Sequence, residues 1–271
     1  MSNRVSPDVH EDPPKLSIPV NKAGISNLYV EAHIELEKSC HEYTAILNIY
    51  TDLPADKRGV HLSRLVNAAL SELNRTCLRI EDFLSNIAKK ILATHQYSSF
   101  AEVETKIAIP RNGQLVSIEF KVRKKKTGEE EWRASVEIMG ATSCPCAKEV
   151  FRFYEGTEWN HTPTHMQRAM AKAILDGSKT PLTIEEALEV ISVIESSFSG
   201  ILPVSLSRDE EKELIKKVIN NPMFAEDLAR EIAVRVSKTE AGRKSRDIIA
   251  QVNSLESIHP FNVYAEVHFN G

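Results

Sequence analysis

The sequence predicts an α+β fold in which an antiparallel sheet carries its helices on one face. Three observations predict it: apolar residues recur at period two in some runs, at period 3.6 in others, and the two kinds come in groups without regular β-α-β alternation. Pairs of strands framing pairs of helices occur twice along the chain.

Residues 1–20, with Pro7, Pro13, Pro14 and Pro19 among charges, bury little apolar surface and are expected to form a flexible N-terminal tail. One bimodular domain, residues 21–271, follows. From Asn27, the runs Leu28 to Leu36 and Tyr43 to Tyr50 alternate apolar and polar side chains, the pattern of two paired strands. Leu62, Leu65, Val66, Ala69 and Leu73 then share one helical face, and Ile80, Phe83, Leu84, Ile87 and Ile91 another. Three strands are expected over roughly residues 101–110, 114–124 and 131–140, the first two joined by the hairpin signal Arg111-Asn112-Gly113. Residues 167–175 suit strand or helix and are read as strand. Helices near residues 183–197, 210–220 and 223–237 precede strands near 246–256 and 262–269.

With 42% hydrophobic and 27% charged residues among 271, the composition is that of an ordinary globular protein. A formal charge of −4 offers no general attraction to nucleic acid, and the run Lys121, Arg123, Lys124, Lys125 and Lys126 reads as a solvated hairpin end. No run of about eighteen apolar residues occurs, and the N-terminus carries charges and prolines where a signal peptide needs an apolar stretch. Neither nucleic acid nor membrane is therefore expected as a partner. Cys40 and Cys77 have no partner nearby in sequence, so the four cysteines suggest a reducing compartment and a cytoplasmic protein.

Ser143-Cys144-Pro145-Cys146 follows a strand pattern and opens a helix, with Pro145 suited to the first helical turn. Helix starts are where reactive thiolates are usually built. A dithiol redox pair and a zinc ribbon both normally use C-x-x-C, so the spacing argues against them; two small buried residues are the bland alternative. Three further places combine metal-type side chains with loop or element ends: His61, His165, and the pair Glu256 and His259. Arg58 and Arg64 flank His61 at a loop-to-helix junction suited to an anion. Pro260 stops strand pairing just after Glu256 and His259, which frees both side chains to turn into one pocket. Thiolate, imidazoles and carboxylate together suit a divalent transition metal with an open position for water.

Asp52-Leu53-Pro54, Arg58-Gly59-Val60-His61-Leu62-Ser63-Arg64, Ser143-Cys144-Pro145-Cys146, His165-Met166-Gln167-Arg168, Asn221-Pro222-Met223-Phe224 and Glu256-Ser257-Ile258-His259 occur in that order. In this the chain resembles the prokaryotic GTP cyclohydrolases of type IB. In Thr164-His165-Met166-Gln167-Arg168 and the long segment before it, the chain is more similar to the archaeal GTP cyclohydrolase IV branch. The resemblance implies a tunnelling fold of two ββαα-type units, a homo-oligomer (dimer or tetramer) with active sites at subunit boundaries, and GTP as substrate. It also implies opening of the purine ring at C8 with loss of formate. The product would be 7,8-dihydroneopterin 2′,3′-cyclic phosphate in the archaeal branch, or the triphosphate in the bacterial one. A homologue that kept the metal pocket without the chemistry is the alternative from another class. Fe2+ is the implied cofactor, with Mn2+ or Zn2+ as alternatives. Carried over residue by residue, Cys144, His165, Glu256 and His259 would be metal ligands, and Cys146 and His61 catalytic. Arg58, Arg64 and Arg168 would bind phosphate or ribose. The chain departs from the bacterial branch at Gly200 and Lys216, where that branch carries acidic residues; Glu210, Glu211 or Glu213 are the nearby substitutes.

Overall fold

Eight strands follow one another across a single antiparallel sheet in chain order, β1 to β8, in the computed structural model, which describes residues 9–36, 38–74 and 77–270. Residues 1–8 of the expected tail lie outside the described residues. The strands are β1 (Val20–Leu36), β2 (Ser39–Leu53), β3 (Phe100–Arg111), β4 (Gln114–Lys125), β5 (Glu130–Ser143), β6 (Met166–Ser178), β7 (Asp247–Leu255) and β8 (Val263–Asn270). The helices are α1 (Leu62–Leu73), α2 (Ile80–Thr94), α3 (Pro145–Glu155), α4 (Ile184–Ser197), α5 (Arg208–Asn220), α6 (Ala225–Val236) and α7 (Glu240–Lys244). All the expected elements form, residues 167–175 as strand; α7 was not foreseen. The chain divides into two compact units. The first runs to Ile107 and adds Phe120–Trp132 and Lys179–Thr183; the second holds Ala108–Glu119, Arg133–Ser178 and the chain from Ile184 onward.

In the first unit, β1 and β2 pair antiparallel from Val20↔Leu53 to Leu36↔Ser39, and β2 continues onto β3 from Ile46↔Lys106 to Thr51↔Ala101. Val30, Ala32 and Ile34 enter the core while Glu31 and His33 point out, as period two requires. Strand β1 starts at Val20, seven residues before the alternation does. Register shifts between Val20 and Ala23 and between Ile25 and Leu28, with Asn27 at φ 56°, break the period there. Gly24 lies in this irregular stretch, where a Cβ would stand 1.9 Å from the Ile49 carbonyl oxygen. Helix α2 buries all five residues of its expected face. Helix α1 is turned from expectation: Leu65, Ala68, Ala69 and Glu72 are buried and Leu62 is exposed. Glu72 accepts this position because Lys90 of α2 stands 2.5 Å from its carboxylate. Asp52 fastens the end of β2 to the start of β3, accepting from the Ser99 amide (2.8 Å), the Ser99 hydroxyl (2.6 Å) and the Phe100 amide (3.3 Å).

Cys40 and Cys77 correct an expectation: they form a disulfide across 37 residues of sequence. Leu78, next along, bonds both ways with β1, its amide to the His33 carbonyl and its carbonyl to the Glu35 amide, each at 2.8 Å. This tether brings Cys77 and Leu78, just ahead of α2, to the β1–β2 hairpin, so a partner distant in sequence becomes a neighbour in space.

In the second unit, β6 pairs antiparallel with β7 from Arg168↔Leu255 to Asp176↔Asp247, and β7 with β8 from Asp247↔Asn270 to Ser254↔Val263. Helix α6 packs across β6, β7 and β8, and α4 packs on α6. Leu228, Ala229, Ile232, Ala233 and Val236 of α6 meet a sheet face made of small and branched residues, among them Ala171, Ala173, Ile248, Ala250 and Val252. Gly140 of β5 is where Phe198 closes down: a Cβ there would lie 2.2 Å from the ring. Among the described residues no helix is long and apolar enough to cross a membrane.

Glu102 of β3 is buried in the first unit with Lys22 at 2.5 Å and Lys121 at 3.3 Å. Burial alone would push its carboxyl up, but the hydrogen bond from Lys22 and the charges of Lys121 and Lys22 outweigh that and hold it below the usual carboxylate range. A carboxyl lowered by folding adds stability that is complete above its unfolded value of about 4.3 and is lost as pH falls through the folded value. Glu102→Gln is expected to cost about 2 kcal/mol at neutral pH. In urea denaturation, its difference from wild type should stay constant down to about pH 5 and narrow below it.

Candidate active site

Strand β5 ends in the second unit at Ser143, and its last groups are taken up by neighbouring segments. The Ser143 hydroxyl donates to the Val218 carbonyl at 2.7 Å, and the Ser143 carbonyl accepts from the Met223 amide at 3.1 Å. Cys144 follows as N-cap of α3; its amide donates to the His165 carbonyl at 3.2 Å and its carbonyl accepts from the Thr164 hydroxyl at 2.6 Å. The Cys144 Sγ accepts from the Ala147 amide at 3.3 Å, so the sulfur satisfies one of the open amides of the helix start. Pro145 occupies the first turn, as the sequence predicts, and Gly156 closes the helix at φ 63°.

Lys148, fully buried one turn into α3, ties this helix to the end of α5. Its ammonium donates to the Ile219 carbonyl (2.5 Å) and Asn220 Oδ1 (3.1 Å) and stands 4.5 Å from the centre of the Trp159 ring. Trp159, in a 3-10 turn at Trp159–His161, donates its indole N–H to the Asn220 carbonyl at 3.1 Å. Burial pushes the Lys148 ammonium below the usual lysine range. The α5 end carries a cation among its last carbonyls, where the helix dipole favours one.

A pocket of about 290 Å³ opens beside Cys144. His165, immediately before β6, Glu256, immediately after β7, and His259 of the β7–β8 turn all line it. The His165 Nδ1 lies 3.1 Å from the Ser257 hydroxyl, and the Glu256 Oε1 accepts from the Ser254 hydroxyl at 2.8 Å. The His259 ring stacks on Phe261, 5.0 Å between centres and 8° between planes. Four donors from three widely separated stretches of sequence thus share one cavity. Thiolate, imidazole and carboxylate are the donor chemistry of a first-row divalent metal, so the set fits such an ion. As the side chains stand, no three His, Cys, Asp or Glu groups among the described residues converge on one point.

Cys146 is exposed on the first turn of α3, next to the pocket-lining Pro145. Arg168, the third residue of β6, has its side chain exposed and its backbone paired opposite Leu255. His61, Arg58 and Arg64 belong to the first unit and do not line this pocket. There, the His61 Nε2 lies 3.1 Å from Glu11, Arg58 lies 3.6 Å from Asp12, and Arg64 donates to the Thr94 carbonyl at 3.1 Å.

Besides Ser254, two polar residues of the pocket drew no role of their own from sequence, Gln167 within the motif around His165 and Glu226. Gln167 lines it with a buried Oε1 that has no hydrogen-bond partner among the described residues. Glu226, in the first turn of α6, lines it as well. The segment Asn221-Pro222-Met223-Phe224 ahead of a helix start was the available signal for Glu226. Gly200 exchanges both backbone hydrogen bonds with Ala141, and a Cβ there would lie 2.5 Å from Val218. A larger side chain at this position would have to displace Val218 and Leu214. Of the nearby substitutes, Glu210 is committed to the capping box of α5 with Ser207, and Glu211 and Glu213 are exposed.

Comparison with known proteins gives this geometry a context. The family model described as "Type I GTP cyclohydrolase folE2" matches residues 6–265. The protein named GTP cyclohydrolase MptA of Aeropyrum pernix is 30% identical over 270 residues, covering 95% of this chain and 94% of its own. GTP cyclohydrolase FolE2 of Thermosipho africanus is 31% identical over 274 residues, with 96% and 97% covered. Among solved structures, uricase from Arthrobacter globiformis superposes with a TM-score of 0.58 at 9% identity, covering 93% of each chain. That likeness is one of fold alone, the tunnelling fold expected from sequence. With a family model spanning nearly its whole length and relatives aligned from end to end, this chain belongs to the type I GTP cyclohydrolases.

Proposed function

We propose that the chain opens the purine ring of GTP at C8, releases formate and delivers 7,8-dihydroneopterin 2′,3′-cyclic phosphate. The observation that carries this reading is the meeting of Cys144, His165, Glu256 and His259 around one pocket. These four residues would hold a divalent metal, Fe2+ in the first instance with Mn2+ or Zn2+ as alternatives. When bound, the metal supplies the Lewis acidity that makes water nucleophilic at neutral pH. Gln167 and Glu226 also line this cavity, and the Glu226 carboxylate would suit the N–H-rich edge of a guanine. Cys146 would hold and return a proton at the C8 to N9 edge, a task suited to an accessible thiol beside the pocket. His61 would act in catalysis and Arg58, Arg64 and Arg168 on phosphate or ribose. Gly200, where the bacterial branch carries an acidic residue and the archaeal branch also departs, favours the cyclic phosphate over the triphosphate.

Assembly into a homodimer or homotetramer goes with this reading. Helix α3, which carries Cys146 in its first turn, leaves Phe151, Phe153 and Tyr154 exposed further along, and β1 and β8 are the sheet's open edges. A nucleoside triphosphate substrate supports a cytoplasmic location, whereas the Cys40–Cys77 disulfide removes the argument from reduced cysteines.

Anaerobic incubation with GTP and each metal, then oxidation, pterin fluorescence and mass analysis before and after phosphatase, tests the reaction. A fluorescent cyclic monophosphate is expected; a triphosphate would assign the bacterial-type reaction, and no pterin from folded protein a binding role without chemistry. Cys146→Ala is expected to lower kcat by about 10²–10⁴-fold with metal content unchanged. Cys144→Ala is expected to lose bound metal, as read by atomic absorption, together with turnover. The reverse pattern would reassign the two thiols.

A further inference from the structure

The loop that joins β2 to α1 in the first unit carries Lys57, Arg58 and His61 within five residues, and the chain's own N-terminal segment lies along it. The His10 carbonyl accepts from the Arg58 amide (3.2 Å) and the Gly59 amide (3.3 Å). The Glu11 carboxylate accepts from the Lys57 ammonium and stands 3.1 Å from His61 Nε2. Asp12 lies 3.6 Å from the Arg58 guanidinium. The His10 ring rests against the His61 ring, 4.7 Å between centres. Gly59 permits this approach: a Cβ would already stand 3.1 Å from the His10 ring. Under this cover the His61 side chain is 8% exposed.

Two adjacent carboxylates therefore answer three cationic or protonatable groups, an arrangement of charge that a condensed phosphate chain reproduces. The pairs are of the solvent-exposed kind, individually weak and screened by salt, except at His61. Arg64, one turn further on, bonds to the Thr94 carbonyl and stands apart from the arrangement.

We infer that residues 10–12 form a displaceable acidic strap, in which Glu11 and Asp12 occupy a condensed-phosphate site made by Lys57, Arg58 and His61 until a polyphosphate takes their place. The inference rests on the reading of this loop as the phosphate contact of the substrate and adds competition from within the chain. Hydrogen bonds from Lys57 and then His61 pull the Glu11 carboxyl down to about 2. The Glu11 carboxylate therefore stays ionised at physiological pH, and a competing anion is what displaces it.

Calorimetric titration of the full chain with inorganic tripolyphosphate tests this directly. The double variant Glu11→Gln with Asp12→Asn should bind about tenfold more tightly than wild type, because the occluded fraction is relieved. Deletion of residues 1–12 should tighten binding in the same way, and decides the matter if the double variant misfolds. Lys57→Ala with Arg58→Ala should lose binding. Unchanged affinity on removing the acidic pair or the segment, retained binding without the two cations, or no binding by any form would overturn the strap. GTP turnover separates the two readings. Pterin formation with an unaltered KM in the double variant removes the strap and leaves the activity, whereas tighter tripolyphosphate binding without pterin does the reverse.

Discussion

The pocket depends on how β5 ends. A strand leaves unpaired backbone groups at its last residues, and buried ones must be satisfied. At Ser143 and Cys144 they are satisfied by the segments that bring the other site residues, Thr164 and His165 on one side and Met223 on the other, and the Ser143 hydroxyl adds a bond to the Val218 carbonyl. Four hydrogen bonds at two adjacent residues thereby hold the thiol at position 144, the imidazole at position 165 and the approach to α6 in one place. Lys148 adds a second fastening between α3 and the end of α5 that does not pass through the strand.

Much of this was legible in the chain. Alternation and 3.6-residue periodicity report one-sided burial, and they located the strands and helices because nearly every element here buries one face only. Where local pattern and burial part company, the reading failed. The first residues of β1 are hidden by two register shifts. The buried face of α1 includes a charged residue, Glu72, that periodicity counts as polar, and α7 is too short to show a period. Cys40 and Cys77 meet only because the α1–α2 connection returns to the β1–β2 hairpin, a long-range fact that spacing does not carry.

The pocket shows the same division. Cys144, His165, Glu256 and His259 stood out as reactive residue types at element ends, and these are the positions that a sheet aims at a common rim. Gln167, inside the motif around His165, and Glu226 drew no role of their own, because a glutamine in a strand pattern and a glutamate in a first helical turn have ordinary structural explanations. Their meaning comes from which cavity they face. The converse holds for Asp52, which belongs to a motif shared with the family and here fastens β2 to β3. Membership of a motif distinguishes neither architecture from chemistry; hydrogen-bond partners do.

The strict agreement between strand order and chain order bears on how the protein is made. Each strand pairs with the one synthesised just before it, and no strand waits for a later one to be inserted between established neighbours. Translation delivers the N-terminal end first, so the sheet can lengthen at its free edge as the chain emerges, with long loop closures kept to those that span helices. Such a topology holds sequence separation between pairing partners low for a largely β architecture, and folding speed follows that separation.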